Sequence, residues 1–261
     1  MYLRPVSLQA EEYPSEFLPV LSGAKLYDSS SSPQARVLYI QKDEGYFLKS
    51  APRGTLRREA QLTAWFHTKG LCASVLGYLS RDMDWLLTER VPGEDCTAEQ
   101  YLTHPERLCD VLAEQLWLLH HMDFTGCPVK NHTFLYLERV RSNYRRGIFD
   151  KTLFPDNWGY TSAKEAYRVL DRNGHLLAAD TLLHGDYCLP NIILQNWKLR
   201  GFVDVGCGGV GDRHVDLFWA LWTLEYNLKT DKFRQRFIDG YGRQLVEESL
   251  LRVVAAAEVF G

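Results

Sequence analysis

His184-Gly185-Asp186-Tyr187-Cys188-Leu189-Pro190-Asn191 is followed by the apolar run Ile192-Ile193-Leu194 and then by Phe202-Val203-Asp204-Val205-Gly206. The stretch offers a carboxylate, an amide five positions later and a second carboxylate at the end of a short apolar strand. Mg²⁺ prefers oxygen ligands and takes only one or two protein carboxylates, so Asn191 and Asp204 are candidate metal ligands. Asp186 can accept the proton of a substrate hydroxyl. Together these residues indicate phosphoryl transfer from a nucleoside triphosphate to a small molecule.

Composition excludes several other classes of function. The chain has 261 residues, 46% of them hydrophobic and 24% charged, as in ordinary soluble globular proteins. A formal charge of -3 argues against nucleic acid as the main partner, because phosphate backbones select basic surfaces. The sequence shows neither a signal pattern nor an apolar run long enough to span a membrane. Six scattered cysteines without a CxxC pair favour free thiols, so we expect a cytoplasmic protein. We also expect either a monomer or a weak dimer.

The chain changes character near residue 90. Short β-prone runs at 35–40, 45–50 and 85–89 surround a helical pattern at 55–69, which Thr55 would cap and Gly70 would end. After Val91-Pro92-Gly93, an i, i+3, i+4, i+7 stripe over 108–122 predicts an amphipathic helix. Further helices are expected at 162–170, 214–228, 232–241 and 246–258. The sequence therefore predicts an α+β protein with a β-rich lobe over 1–90 and a larger, mainly helical lobe over 91–261.

A lysine and a glutamate in the first lobe form a candidate ion pair. Strand alternation places Phe47 and Lys49 on one face of the 45–50 run, so that the Phe47 ring could lie against adenine. Glu59 falls within the apolar stripe of the following helix, where a carboxylate requires a cationic partner. We expect Lys49 to be that partner.

These residues resemble the aminoglycoside phosphotransferase family, most of all its 3'-phosphotransferases, whose fold is like that of the eukaryotic protein kinases. The resemblance implies a two-lobed kinase-like fold. It also implies that Asp186 is the catalytic aspartate and that Asn191 and Asp204 are Mg²⁺ ligands. Lys49 would bind the phosphates of the nucleotide, with Glu59 as the partner that holds its ammonium. Gly211-Asp212-Arg213-His214-Val215-Asp216 is similar to the stretch that follows the metal-binding segment, where Asp216 would support the catalytic loop.

The resemblance also implies where the nucleotide binds. Pro92 has no N–H, so the Glu89 carbonyl and the Val91 amide are the expected partners of adenine. Backbone amides and hydroxyls of the serine run would cover the phosphates, and its members are Ser29, Ser30, Ser31 and Ser32. The expected nucleotide is ATP, with GTP as an alternative, and the expected metal is Mg²⁺.

The acceptor is expected to be a small and cationic molecule, an aminoglycoside phosphorylated at its 3'-hydroxyl. Candidate substrate-binding acids are Asp156, Glu225 and Glu258. Two departures leave the substrate open. The family often has an arginine after its Asp-x-Gly, where this chain has Cys207, and only Glu258 is left of an acidic pair common near the C-terminus.

Three alternatives compete with this interpretation. A kinase of another small hydroxylated substrate, such as a sugar, an amino-alcohol or a different antibiotic, would use the same catalytic residues. A non-catalytic kinase-like module is disfavoured because Lys49, Asp186, Asn191 and Asp204 are all present. The glycine-rich run 206–211 is a literal GxGxxG after a strand, and 203–208 looks like the first motif of S-adenosylmethionine methyltransferases. The fifty residues after this run read as helices rather than as a doubly wound domain, which disfavours the methyltransferase alternative.

Overall fold

The computed structural model describes residues 3–30, 34–153 and 160–261. The chain forms two compact units. The first unit comprises the chain up to Asp95 together with Asn191–Gly206. The second unit comprises Cys96–Pro190 and Cys207–Gly261.

A six-stranded antiparallel sheet dominates the first unit. Its strands are β1 (Arg4–Val6), β2 (Lys25–Asp28), β3 (Arg36–Gln41), β4 (Tyr46–Pro52), β5 (Val75–Ser80) and β6 (Met83–Glu89), in the order β1-β2-β3-β4-β6-β5. Leu38, Leu48 and Leu87 stand opposite one another on three neighbouring strands and are buried in one apolar cluster. Because side chains alternate along a strand, burial of Leu48 turns Phe47 and Lys49 to the other face of β4. The predicted strands at 35–40, 45–50 and 85–89 are confirmed within two residues.

Two helices accompany this sheet, α1 (Leu18–Leu21) and α2 (Arg57–Thr68). The predicted cap at Thr55 is wrong. The Thr55 hydroxyl donates to the Pro52 carbonyl, and the amide of Leu56 donates to the buried Asp84 carboxylate at 2.9 Å. A carboxylate from β6 thus binds the start of α2. Gly70 ends this region with a φ of +73°, as the sequence predicts.

A second, smaller sheet explains why the first unit is discontinuous in sequence. The strands β7 (Glu94–Asp95), β9 (Ile192–Gln195) and β10 (Lys198–Phe202) pair in the order β10-β9-β7, whereas β8 (Thr181–Leu183) belongs to the second unit. Since β7 pairs with β9, residues 91–95 and 191–206 group with the first unit rather than with the rest of the predicted 91–261 lobe.

The second unit is mainly helical. Its helices are α3 (Glu99–Leu102), α4 (Pro105–His120), α5 (His132–Arg145), α6 (Ala163–Asn173), α7 (His214–Leu228), α8 (Arg234–Tyr241) and α9 (Glu248–Glu258), and β8 pairs with β11 (Gly209–Gly211). The predicted helices correspond to α4, α6, α7, α8 and α9, with ends that differ by a few residues. The sequence analysis missed α3 and α5. Within the described residues, no helix is both long and apolar enough to serve as a membrane span.

Candidate active site

Lys49, Glu59 and Asp204 form one ionic cluster in the first unit. The Nζ of Lys49 lies 2.9 Å from both carboxylate oxygens of Glu59 and 2.8 Å from Oδ1 of Asp204. The predicted pairing of Lys49 with Glu59 is confirmed. Asp204, which is 155 positions away in sequence, joins the same ammonium group.

Three elements bring these side chains together. Lys49 lies on β4, Glu59 on the first turn of α2 and Asp204 two residues beyond β10. The amide of Phe202 donates to the carbonyl of Leu71 just after α2, which fixes the end of β10 beside that helix. Phe47, on the same face of β4 as Lys49, packs its ring 5.2 Å from that of Tyr39.

Electrostatics keeps the ammonium of this cluster charged. Burial lowers the pKa of Lys49, but the carboxylates of Asp204 and Glu59 outweigh burial and raise it overall. The pKa of Glu59 is also raised, because burial and the neighbouring charge of Asp204 outweigh the attraction of Lys49. Two acids therefore share one cation, which raises the pKa of the lysine above its usual value.

The hairpin of β9 and β10 brings Asn191 and Asp204 to the same end. Asn191 directly precedes β9, and its carbonyl accepts a hydrogen bond of 3.0 Å from the amide of Val203. Asp204 has a φ of +56°, a left-handed conformation that costs energy outside glycine and is tolerated best by Asn and Asp. Its side chain is 50% exposed, so it can reach a ligand. A carboxylate and an amide placed together in this way fit Mg²⁺, which completes its shell with water and phosphate oxygens. Within the described residues, no group of three or more His, Cys, Asp or Glu side chains could hold a metal without such outside ligands.

Asp186 lies in the second unit, on the loop after β8. The amide of Asp186 donates to Nδ1 of the buried His184, and the carbonyl of Asp186 accepts a hydrogen bond from the amide of Cys188. Burial raises the pKa of the Cys188 thiol, and the charge of Asp186 together with a hydrogen bond to it raises that pKa further. Cys188 is therefore a neutral thiol beside the Asp186 carboxylate rather than a nucleophile.

Asp216 binds the backbone of the loop that carries Asp186, as the resemblance implied. Its two carboxylate oxygens accept the amides of His184 and Gly185, each at 2.7 Å, and one of them also lies 3.1 Å from Nε2 of His120. Burial raises the pKa of Asp216, but its hydrogen bond and charge interaction with His120, together with the loop contacts, lower it overall. Burial lowers the pKa of His120. The two ring nitrogens of His120 thus face different partners, Nε2 the Asp216 carboxylate and Nδ1 the hydroxyl of Tyr241 at 2.7 Å.

Sequence reasoning missed the supporting residues around Asp216. His120 and Tyr241 lie on α4 and α8, and the hydroxyl of Thr223 on α7 accepts the amide of Leu189 at 3.1 Å. These residues come from three separate helices, so no local pattern connects them. A polar residue inside the apolar stripe of α4 was the only available signal for His120.

Gly185 permits a close approach within the second unit. Its φ is +85°, and a Cβ at this position would lie 2.1 Å from the carbonyl oxygen of Cys207. Cys207 itself is exposed, whereas the other five cysteines are buried, and all six are free thiols. The residue in place of the family's arginine is therefore fixed against the catalytic loop through its backbone.

The glycine-rich run 206–211 is not a dinucleotide-type loop. Gly209–Gly211 forms β11 and pairs with β8, and a Cβ at Gly211 would collide with the ring of His132. The glycines therefore serve strand pairing and close packing. This local geometry removes the structural basis of the methyltransferase alternative.

The candidate substrate-binding acids have different surroundings. Glu258 on α9 is only 5% exposed and accepts a hydrogen bond of 2.7 Å from the hydroxyl of Tyr136. Burial raises its pKa to about 7, and the charge of Asp186 contributes to this rise. Glu225 on α7 is exposed. Asp156 lies outside the described residues.

The candidate nucleotide-binding residues of the first unit are only partly described. The amides of Ser29 and Ser30 donate to the Val37 carbonyl and to Asp28, and the Ser30 hydroxyl accepts the Val37 amide. These groups close the hairpin of β2 and β3. Ser31 and Ser32 lie outside the described residues. Glu89 ends β6 opposite Tyr46, and Val91 is buried just beyond it. Binding of adenine by the Glu89 carbonyl and the Val91 amide stays a prediction.

The antiparallel sheet, the helical unit and the Lys49–Glu59–Asp204 cluster define a kinase-like phosphotransferase fold. The model of the family described as "Phosphotransferase enzyme family" matches residues 28–253. The chain belongs to this family.

Relatives and solved structures agree with this assignment. A probable aminoglycoside 3'-phosphotransferase of Lactococcus lactis subsp. lactis (strain IL1403) is 48% identical over 261 residues, 99% of both chains. An aminoglycoside 3'-phosphotransferase of Niallia circulans is 28% identical over 95% of this chain and 97% of its own. The crystal structure of an aminoglycoside-3'-phosphotransferase of type VIII has the same fold, with a TM-score of 0.74, 24% identity and 96% of both chains covered. The fold is also that of APH(3'')-Id from Streptomyces rimosus in complex with ADP and streptomycin, with a TM-score of 0.70, 20% identity and coverage of 89% and 92%.

Proposed function

We propose that this protein is an ATP-dependent O-phosphotransferase that moves the γ-phosphate to the 3'-hydroxyl of an aminoglycoside. The observation that carries this proposal is the Lys49–Glu59–Asp204 cluster, in which a partly buried ammonium is held by two acids from distant parts of the chain. Phosphoryl transfer requires such a cation, because negative charge on the phosphates must be neutralised. The full-length similarity to a probable aminoglycoside 3'-phosphotransferase supports the choice of acceptor.

Asp186 is the proposed base. Its carboxylate accepts the proton of the acceptor hydroxyl while that oxygen forms a bond to the γ-phosphorus and the bond from phosphorus to the ADP oxygen breaks. The loop that carries Asp186 is held by Asp216 at His184 and Gly185 and by Thr223 at Leu189. Such fixed positioning matters because alignment of the reacting atoms supplies much of the rate in this class of reaction.

Lys49 is the proposed ligand of the α- and β-phosphates, with Glu59 holding its ammonium in place. Asn191 and Asp204 would bind Mg²⁺, which would neutralise charge on the phosphate oxygens when bound. Lys49 would then contact phosphate oxygens in place of Asp204, whose carboxylate would be free to hold the metal. Adenine would be bound by Phe47, the Glu89 carbonyl and the Val91 amide. The serine run 29–32 would cover the phosphates. GTP is an alternative nucleotide.

Glu258 and Glu225, together with Asp156, are the proposed acids for a cationic acceptor. The pKa of Glu258, about 7, leaves it close to half protonated at neutral pH. An ammonium group of the acceptor would draw it into the charged form.

Free thiols in the described structure fit a reducing compartment, and we propose a cytoplasmic location.

A second candidate is a kinase of another small hydroxylated molecule. The burial of Glu258 favours it, since burial reduces the negative charge available to hold a polycation. Cys207 in place of an arginine is a further departure from the family's pattern around the site. The catalytic residues would be the same in both cases.

A coupled assay of ADP release tests the proposal. The panel contains kanamycin- and neomycin-type drugs, simple sugars and amino-alcohols, each with ATP or GTP and Mg²⁺. Turnover of 3'-hydroxyl aminoglycosides and none of their 3'-deoxy analogues is expected. Turnover confined to sugars or amino-alcohols would establish the second candidate, and no turnover of any acceptor would refute both.

A further inference from the structure

Three aromatic side chains form a ladder along α7. The ring of Trp219 lies 5.5 Å from that of Trp222 at a steep angle, and Trp222 stacks on Tyr226 with 4.9 Å between centroids and 9° between planes. We name Trp219, Trp222 and Tyr226 the aromatic ladder. None of the proposed catalytic, metal-binding or substrate-binding residues belongs to the aromatic ladder.

The ladder lies beside the face of α7 that supports the catalytic loop. Asp216 and Thr223, seven residues apart, occupy one stripe of the helix and bind the loop at His184, Gly185 and Leu189. At about 100° per residue, the three aromatic side chains fall roughly a quarter turn to one side of that stripe. The ladder and the support of Asp186 are therefore two adjacent faces of a single rigid helix.

Glu258 connects the inner end of the ladder to the same region. The hydroxyl of Tyr136 donates a hydrogen bond to the Glu258 carboxylate at 2.7 Å, and Trp219 and the charge of Asp186 both influence the pKa of that carboxylate. Trp219 therefore lies close to Glu258, whose pKa is raised in part by the charge of Asp186. The ladder extends from there toward the end of α7.

The outer end of the ladder already binds a cation. Lys229, the residue that ends α7 with a φ of +56°, places its ammonium 4.1 Å from the ring centroid of Tyr226. Tyr226 is 57% exposed, and Trp219 and Trp222 are only half-buried, so packing of the core does not account for the ladder. The face of an aromatic ring attracts ammonium groups, most strongly for Trp.

We propose that the aromatic ladder is an acceptor subsite that takes an ammonium-bearing sugar ring, and that the Lys229 ammonium is displaced from Tyr226 when the acceptor binds. This inference rests on the proposed function, since it assigns the cationic acceptor of that reaction to a surface. It supplies attraction for a cation through aromatic faces beside the buried Glu258. The exposed Glu225 lies on the same helix, one turn beyond Trp222.

Calorimetric titration of kanamycin, in the absence of nucleotide, into the full-length protein tests the subsite directly. We expect the Kd to rise about tenfold in Trp222→Leu and in Tyr226→Leu, and to stay within about threefold in Trp222→Phe, as a cation–π contact of ordinary strength implies. Lys229→Met should lower the Kd about threefold, because it removes the competing ammonium. Trp117→Leu is the matched control: Trp117 is 40% exposed and stacked on His121 of the same unit, and its loss should leave the Kd unchanged.

Kinetics separates this inference from the proposed function. If aminoglycosides are turned over, the ladder variants should raise KM for the acceptor and leave KM for ATP unchanged. Turnover with an unchanged acceptor Kd and KM in Trp222→Leu and Tyr226→Leu would overturn the subsite while the function stands. Tight kanamycin binding that depends on Trp222, without turnover, would support the subsite and refute the function. An unchanged or higher Kd in Lys229→Met would refute the displacement of Lys229, and the absence of any kanamycin binding would refute the subsite. Thermal unfolding by circular dichroism identifies variants that fail to fold. If Trp222→Leu or Tyr226→Leu does so, the other of these two variants and Lys229→Met decide instead.

Discussion

Asp216→Asn should separate support of the catalytic loop from the chemistry of Asp186. In the native protein the two carboxylate oxygens accept the amides of His184 and Gly185, each at 2.7 Å, in a fully buried position. Asparagine offers only one oxygen. Its NH₂ group would face the second amide, so that two donors oppose each other without an acceptor.

The size of the effect follows from the contacts that are lost. A buried donor without a partner costs about 1 to 3 kcal/mol, and a hydrogen bond to a charged acceptor contributes about 1.5 to 3 kcal/mol. We therefore expect the free energy of unfolding to fall by about 3 to 5 kcal/mol, in the range for a broken buried charge network. A shift of the loop by about 1 Å would lower kcat about a hundredfold in the molecules that remain folded.

Asp212→Asn is the matched control for this variant. Asp212 is also buried and accepts the amides of His214 and Ala178, but it makes none of the described hydrogen bonds to the catalytic loop. Urea unfolding followed by circular dichroism should show a comparable loss of stability in both variants, with kcat lowered only in Asp216→Asn. Native kcat in Asp216→Asn, or an equal fall in Asp212→Asn, would refute the role of Asp216 as the support of the loop.

Four further predictions concern single residues. Asp186→Ala should abolish turnover while calorimetry still finds normal binding of Mg²⁺ and ATP, and near-native rates would exclude Asp186 as the base. Asp204→Ala should weaken that binding, so an unchanged affinity would contradict its role as a metal ligand. Gly185→Ala should remove activity in assays of the purified protein, because its φ is +85° and the Cβ would lie 2.1 Å from the Cys207 carbonyl oxygen; full activity would refute the close approach. The pKa of Glu258 rises from 4.5 to about 7 on folding, so its contribution to stability is present below about 4.5 and is lost as the pH rises through 7. Glu258→Gln should remove this loss, about 3 kcal/mol between pH 5 and pH 8 in urea unfolding, and an unchanged pH dependence would refute the shift.

The sequence predicted those parts of the fold that local patterns determine. Alternation along 45–50 placed Leu48 inward and Lys49 outward, and the apolar stripe over 108–122 identified α4. The prediction that Glu59 needs a cation succeeded for the same reason, since an acid within an apolar helical stripe is costly unless it is paired.

Elements that depend on distant partners were missed. Asp84 rather than Thr55 binds the start of α2, and this contact joins residues 28 positions apart. The pairing of β7 with β9 assigns residues 191–206 to the first unit, although they are surrounded in sequence by the second. Helix α5 has a weakly periodic, strongly polar sequence, so its core-facing residues gave no clear stripe.

Helix α7 shows why the reaction type was easier to predict than the acceptor. The proposed catalytic and metal-binding residues Asp186, Asn191 and Asp204 lie within 19 consecutive residues, so their spacing is visible in the sequence. Acceptor recognition, as we propose it, uses a different face of α7 from the one that holds the catalytic loop. Because side chains on adjacent helical faces can change independently, substitutions at Trp222 or Tyr226 can alter the acceptor without disturbing Asp216. In this proposal one face of α7 supports the loop that carries Asp186 and the adjacent face binds the acceptor, and only the first face is fixed by the requirements of phosphoryl transfer.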